Sequence, residues 1–226
     1  MKTLVEKEKI AVVLTGEENK RILKSIKEIA GWLELRFDYF IEKFSGKDFC
    51  IWAKSVRKLT DAKIIGTVRW CRERQDKNFI IPDKKRITIY RSIMEYVDFC
   101  DVEINSKIAK DVCNLAKANN KKIILSYHNF AMTPSRKKLI SICKKAKNLN
   151  PDIIKIATSI RTTKDLFNLV SVSFSVSKNS KVVVVPMNTT LVERLVPLAF
   201  GSLFTYFTAS QKTAPGQPLL GSIILK

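Results

Sequence analysis

Leu33-Glu34-Leu35-Arg36-Phe37-Asp38 is the stretch from which the fold can be read. In an extended strand successive side chains point to opposite faces, so Glu34, Arg36 and Asp38 share one side and Leu33, Leu35 and Phe37 the other. The apolar side can pack against helices. The same parity recurs along the chain. Thr67 and Arg69 lie on the face of Ile65, and Asp101 and Glu103 on that of Val97 and Phe99. Ser126, His128 and Phe130 alternate with Leu125 and Tyr127, and Lys155 shares a face with Ile153 and Ala157. In each segment the polar residues come toward the C-terminal end.

Outward from this stretch, eight segments are rich in β-branched and apolar residues, as strands are. They run Ile10–Leu14, Trp32–Arg36, Lys63–Arg69, Val97–Glu103, Ile123–Tyr127, Asp152–Thr158, Val182–Val185 and Ser202–Phe207. Amphipathic stretches lie between them. Glu17–Ile29 stacks Ile22, Ile26 and Ile29 on one face, Ser106–Ala118 does the same with Ile108, Val112 and Leu115, and Pro134–Ala146 opens on a Thr133-Pro134 cap signal. Eight β-α units in 226 residues predict an α/β chain folded as one (β/α)8 TIM barrel domain spanning residues 1–226. A dinucleotide-binding sheet would carry G-x-G-x-x-G after its first strand, and the glycines here are isolated. Barrel enzymes build their sites at the C-terminal ends of several strands at once, where this chain gathers its polar residues.

Composition narrows the class. The net charge is +20, with 46% hydrophobic residues, enough apolar material for a buried core. No apolar run approaches the ~20 residues of a membrane helix, so the sequence predicts a soluble protein with no membrane partner. The basic residues are scattered in ones and twos, mostly lysines on helical stretches, and no helix-turn-helix, aromatic ladder or zinc pattern accompanies them; the expectation is a solvated face and no nucleic-acid partner. Five cysteines with no C-x-x-C pair suggest neither a disulfide framework nor a zinc site, and no signal segment opens the chain. Both point to the reducing cytoplasm, with no metal.

Two residues carry candidate chemistry. His128 is the only histidine, a residue type suited to moving protons near neutral pH. Lys155 sits in Asp-Ile-Ile-Lys-Ile-Ala. Read alone, it is either a lysine snorkelling from a strand end or an amine with a lowered pKa, nucleophilic toward a carbonyl.

The ordered set of motifs resembles the type I 3-dehydroquinate dehydratase family. Glu34-Leu35-Arg36-Phe37-Asp38 is similar to its E-x-R-x-D strand, Thr67-Val68-Arg69 with Glu73 to its third-strand arginine and following glutamate, and Asp101-Val102-Glu103 to its acidic fourth strand. Ser126-Tyr127-His128-Asn129-Phe130 resembles its histidine motif and Lys155-Ile156-Ala157 its Schiff-base lysine. Met187, Arg194 ahead of Phe200-Gly201-Ser202, and Ala214-Pro215-Gly216-Gln217 complete it. The chain departs from the family at Thr213, where a serine is usual. Its short ends suggest a short or missing N-terminal hairpin and a truncated last helix.

The resemblance implies a hydro-lyase that converts 3-dehydroquinate, a small-molecule substrate, to 3-dehydroshikimate in the shikimate pathway, without a cofactor. Catalysis would fall to Lys155 as the imine-forming amine, His128 as base and acid, and Glu73 as the group orienting the imidazole. Glu34, Arg36 and Arg69 would hold substrate hydroxyls, with the two arginines disfavouring charge on Lys155, and Arg194 would hold the carboxylate. Thr213 and Gln217 would close over the substrate, and Met187 and Phe130 would supply apolar walls. A homodimer is the assembly that the resemblance suggests. The rivals are another Schiff-base barrel of the aldolase kind, separable by carbon-carbon cleavage assays, and a basic nucleic-acid-binding module, separable by salt-dependent binding to generic DNA or RNA.

Overall fold

The computed structural model describes residues 3–44, 48–75, 78–210 and 212–224, so the outermost ends of the expected domain lie outside it. Eight parallel strands form one sheet in the order β7-β6-β5-β4-β3-β2-β1-β8. They are β1 (Ile10–Leu14), β2 (Trp32–Arg36), β3 (Lys63–Thr67), β4 (Phe99–Glu103), β5 (Lys122–Asn129), β6 (Ile153–Ser159), β7 (Val182–Met187) and β8 (Thr205–Thr208). A parallel bridge between Val182 and Ser202, with Leu203 N donating to the Val182 carbonyl at 2.9 Å, brings β7 to β8. The sheet is thus a nearly closed (β/α)8 barrel, as the alternation predicts.

Helices α1 (Lys20–Ile29), α2 (Phe37–Lys43), α3 (Phe49–Leu59), α4 (Asp83–Ile93), α5 (Ala109–Ala118), α6 (Arg136–Lys147), α7 (Thr163–Ser177) and α8 (Leu191–Ala199) surround it. None is long and apolar enough to cross a membrane among the described residues. Side-chain caps set several starts: Asn19 accepts from Ile22 N, and Thr162 and Thr190 form capping boxes with Asp165 and Glu193. The cap of α6 is Ser135, which accepts from Lys138 N. Thr133 is not that cap, because its hydroxyl bonds Thr158 Oγ1 at 2.8 Å and the Ser159 carbonyl at 2.9 Å.

Parity separates two cores. Leu33, Leu35, Leu125, Ile154 and Ile156 pack outward under the helices, whereas Trp32, Ile65, Phe99, Ile124, Ile153 and Phe204 fill the barrel. Trp32 lies 4.4 Å from Phe204 and 5.2 Å from Phe99, ring centroid to centroid. These rings plug the N-terminal end and leave the C-terminal end to polar side chains. Val97 belongs to the outer core, because β4 starts only at Phe99. No strand pair precedes β1 among the described residues. A 3-10 turn (Lys7–Lys9) lies there, and Trp32 Nε1 donates to the Glu8 carbonyl at 2.9 Å. Among the described residues after β8, the one helical element is a 3-10 turn, Leu220–Ile223.

Candidate active site

At the C-terminal ends of the strands, one pocket is lined by eleven of the residues singled out in the sequence: Glu34, Arg36, Arg69, Glu73, His128, Phe130, Lys155, Met187, Arg194, Thr213 and Gln217. Strand register explains the convergence. Glu103 pairs with Ser126 and Ser126 with Lys155, while His128 stands opposite Ala157. His128 and Lys155 therefore lie on neighbouring strands, facing the same interior, two residues apart in register.

Lys155 is 4% exposed. Its Nζ donates to Asp101 Oδ2 at 2.9 Å and Glu34 Oε1 at 3.4 Å, and lies 4.1 Å from the centre of the Tyr206 ring. This is a buried amine held in place, not a snorkelling one. The expectation that Arg36 and Arg69 disfavour its charge meets a different neighbourhood. Arg36 is forked onto Asp38, Nε at 3.0 Å and Nη2 at 2.7 Å. Arg69 Nη1 reaches Asp101 Oδ1 at 2.9 Å, Glu103 Oε1 at 3.0 Å and Ser126 Oγ at 2.8 Å. Both guanidiniums are matched by carboxylates, and the amine's own hydrogen bonds go to Asp101 and Glu34. Burial works against ionising Asp101, but Arg69 and Lys155 outweigh it and hold its carboxyl below the usual range.

Asp38 is not on the β2 face. The strand ends at Arg36, and Asp38 enters from the first turn of α2. It still meets Arg36, because the chain turns over the barrel mouth there. Arg69 likewise lies beyond the end of β3 at Thr67, carried inward by its carboxylate partners. Thr67 Oγ1 fixes Glu34 at 2.7 Å.

Glu73 sits in a 3-10 turn (Cys71–Glu73) after β3. Its Oε2 meets the His128 backbone N–H at 2.8 Å and the ring Nδ1 at 3.1 Å. Burial and the nearby charge of Glu103 push the Glu73 carboxyl up to about 8. Burial, with Arg69 and Lys155, holds the imidazole well below its ordinary value of 6.5. His128 is therefore neutral at physiological pH, the state in which an imidazole can accept a proton.

Arg194 stands apart. It projects from α8, 1% exposed, with Nη1 on the Pro186 carbonyl and Nε without a partner among the described residues. Burial alone lowers its pKa to about 10. The other buried arginines, Arg36, Arg69, Arg74 and Arg86, each have a carboxylate; Arg194 has none among the described residues. An uncompensated cation beside a pocket attracts an anionic ligand group.

Thr213 and Gln217 are buried together, Thr213 N and Oγ1 donating to Gln217 Oε1 at 2.8 and 3.1 Å. Gly216, at φ +67, lets the loop press on Asn188 and Thr189, where a Cβ would meet backbone nitrogens at 2.9 to 3.0 Å. Pocket residues that sequence reasoning missed are Tyr206, Arg74, Val13 and Val185. Tyr206 shares the parity of Phe204 and could have been found so. Arg74 follows Glu73 directly, but its pairing with Glu42 and its place over the Tyr39 ring need the fold.

A parallel barrel with a buried lysine, a neutral histidine and an arginine that has no carboxylate among the described residues, all around one pocket, defines a barrel enzyme acting on a small molecule. A sequence model of the type I 3-dehydroquinase family matches residues 10–223, and the chain belongs to that family. It is 32% identical over 209 residues to a 3-dehydroquinate dehydratase of Thermodesulfovibrio yellowstonii, covering 92% of this chain and 89% of the relative. The crystal structure of the Geobacillus kaustophilus 3-dehydroquinate dehydratase superposes with a TM-score of 0.85 at 20% identity, over 97% of this chain and 90% of that one. A type I enzyme from Clostridium difficile with covalently modified comenic acid follows at 0.81 and 25% identity, over 98% and 92%.

Proposed function

We propose that the chain dehydrates 3-dehydroquinate to 3-dehydroshikimate through a Schiff base at Lys155, working as one barrel domain over residues 1–226. Lys155 gives up its proton and attacks the C3 ketone. Loss of water leaves an iminium, whose nitrogen accepts the electron pair released when a proton leaves C2. His128 takes that proton and returns one to the departing C1 hydroxyl, so a second water forms. Hydrolysis of the imine consumes one water and frees the amine, and the net change is one water lost.

Glu73 fixes the imidazole from both its backbone and its ring, the part a carboxylate plays toward a working histidine. Arg194 receives the substrate carboxylate, and Glu34, Arg36, Arg69, Thr213 and Gln217 contact the polar ring substituents, against the apolar wall of Met187. The observation that carries this reading is Lys155 buried at the pocket floor with His128 on the next strand. The five free cysteines fit a reducing cytoplasm, and a homodimer is the assembly proposed. The net charge then serves solubility and steering of an anionic substrate rather than nucleic-acid binding.

The test is direct. Adding 3-dehydroquinate with no metal or cofactor should raise the ultraviolet absorbance of a conjugated product. Borohydride added with the substrate should inactivate the protein and leave its mass on the Lys155 peptide. An unmodified peptide refutes the imine.

A further inference from the structure

Tyr206 lies on β8 in register with Ala11 of β1, its ring edge-on to Phe204 with centroids 5.5 Å apart. The residue is 4% exposed and lines the pocket, and Lys155 Nζ rests 4.1 Å from the centre of its ring. Its phenol oxygen is buried and has no hydrogen-bond partner among the described residues. Burying a hydroxyl unpaired costs free energy, and phenylalanine would fill the same space without that cost. Burial, with the charges of Glu34 and Asp101, pushes the phenol well above the ordinary tyrosine value. It keeps its proton at any working pH and stands ready as a donor.

The amine beside this ring supplies the acceptor. When Nζ bonds to the ketone carbon, the carbonyl π electrons move to oxygen, which takes a proton and becomes the carbinolamine hydroxyl. This oxygen is one carbon away from Nζ, which itself rests against the Tyr206 ring that carries the phenol. It then leaves as water, with a second proton, as the imine forms. Developing charge on that oxygen is where a fixed donor lowers a barrier. We propose that Tyr206 is a catalytic residue of this site, its O–H donating a hydrogen bond to the oxygen on the carbon that Lys155 captures; this rests on the Schiff-base reading above.

The test is Tyr206→Phe, which keeps the ring against Nζ and removes only the oxygen. In single-turnover mixing with 3-dehydroquinate and borohydride quench, the variant should form the Lys155 adduct ~10- to 100-fold more slowly than the wild type. Its urea midpoint without ligand should equal or exceed that of the wild type, because an unpaired buried hydroxyl is gone. A wild type that traps no adduct sinks the Schiff-base reading. A wild type that traps with a variant equally fast sinks the role of Tyr206 and leaves the reading intact. A variant with a lowered midpoint shows the hydroxyl to be a structural partner in the free protein, and also overturns the proposal.

Discussion

Oε2 of Glu73 meets His128 twice, at its backbone N–H 2.8 Å away and at its ring Nδ1 3.1 Å away. The first contact holds the carboxyl in place whatever the ring does, and the second ties the imidazole tautomer to the charge on Glu73. Ionised, Glu73 accepts a hydrogen bond from Nδ1–H, which keeps the ring proton on Nδ1 and leaves Nε2 with its lone pair. Protonated, it can donate to Nδ1 and place the ring proton on Nε2.

A pH dependence follows. The Glu73 carboxyl, raised from 4.5 to about 8, keeps in the folded protein a proton that the unfolded chain releases, so its contribution to stability falls as pH rises across that window. His128, held below its ordinary 6.5, refuses a proton that the unfolded chain takes up, so its contribution falls as pH drops below 6.5. The two oppose each other at acid pH, and only the Glu73 slope remains between about 6.5 and 8. Glu73→Gln should abolish the alkaline decline in urea midpoint and expose an acid decline below pH 6.5 that the Glu73 titration offsets in the wild type. It should also remove from the kcat profile the limb that rises toward pH 8. A variant with the wild-type profile would place the titration elsewhere.

Removing the imidazole should cost most of the turnover. His128→Ala should lower kcat by ~10² to 10⁴, while borohydride still finds some adduct at Lys155, since the amine stays in place. Turnover near that of the wild type would take His128 out of the mechanism.

Arg194→Lys keeps the charge but loses the planar fork. The expected result is a KM raised about tenfold or more with kcat little changed. Because burial without a carboxylate partner lowers the Arg194 pKa to about 10, an anion arriving there relieves a standing cost. Ligand should therefore raise Tm more in the wild type than in the variant. An unchanged KM would put the carboxylate elsewhere.

Arg86 supports the site without touching the pocket. It is fully buried and donates twice to the Val68 carbonyl, to Ser106 Oγ and, at 2.5 Å, to Glu103 Oε2. Glu103 Oε1 in turn holds Arg69 and the Trp70 N–H. Arg86→Leu leaves Glu103 Oε2 buried without its charged partner and should destabilise the protein by ~3 to 5 kcal/mol, read from urea unfolding. Adding Glu103→Gln should recover part of that loss; no recovery would mean that Arg86 acts through its other partners, the Val68 carbonyl, Ser106 and Asp83.

Much of the site was legible because the period of a strand is a local property. Residues two apart face the same way wherever the strand lies, so Glu34 and Arg36, Asp101 and Glu103, and the interior position of Lys155 follow from the chain itself. The reading failed where a strand ended early. Asp38 continues the alternation on paper, yet the backbone turns helical at Phe37. It failed at Thr133-Pro134 because a hydroxyl next to a proline resembles a cap, while Ser135 holds the geometry.

The amino-acid sequence alone determined the alternation of strands and helices, the side of each strand that carries charge, and the lysine and histidine that stand inside. Only the tertiary structure decided who meets whom: that Arg69 is held by Asp101 and Glu103, that Arg194 meets no carboxylate among the described residues, and that Tyr206 lies against Lys155. The first set depends on backbone periodicity over a few residues. The second depends on barrel closure and strand register, which bring together groups such as Glu34 and Lys155, 121 positions apart in the chain.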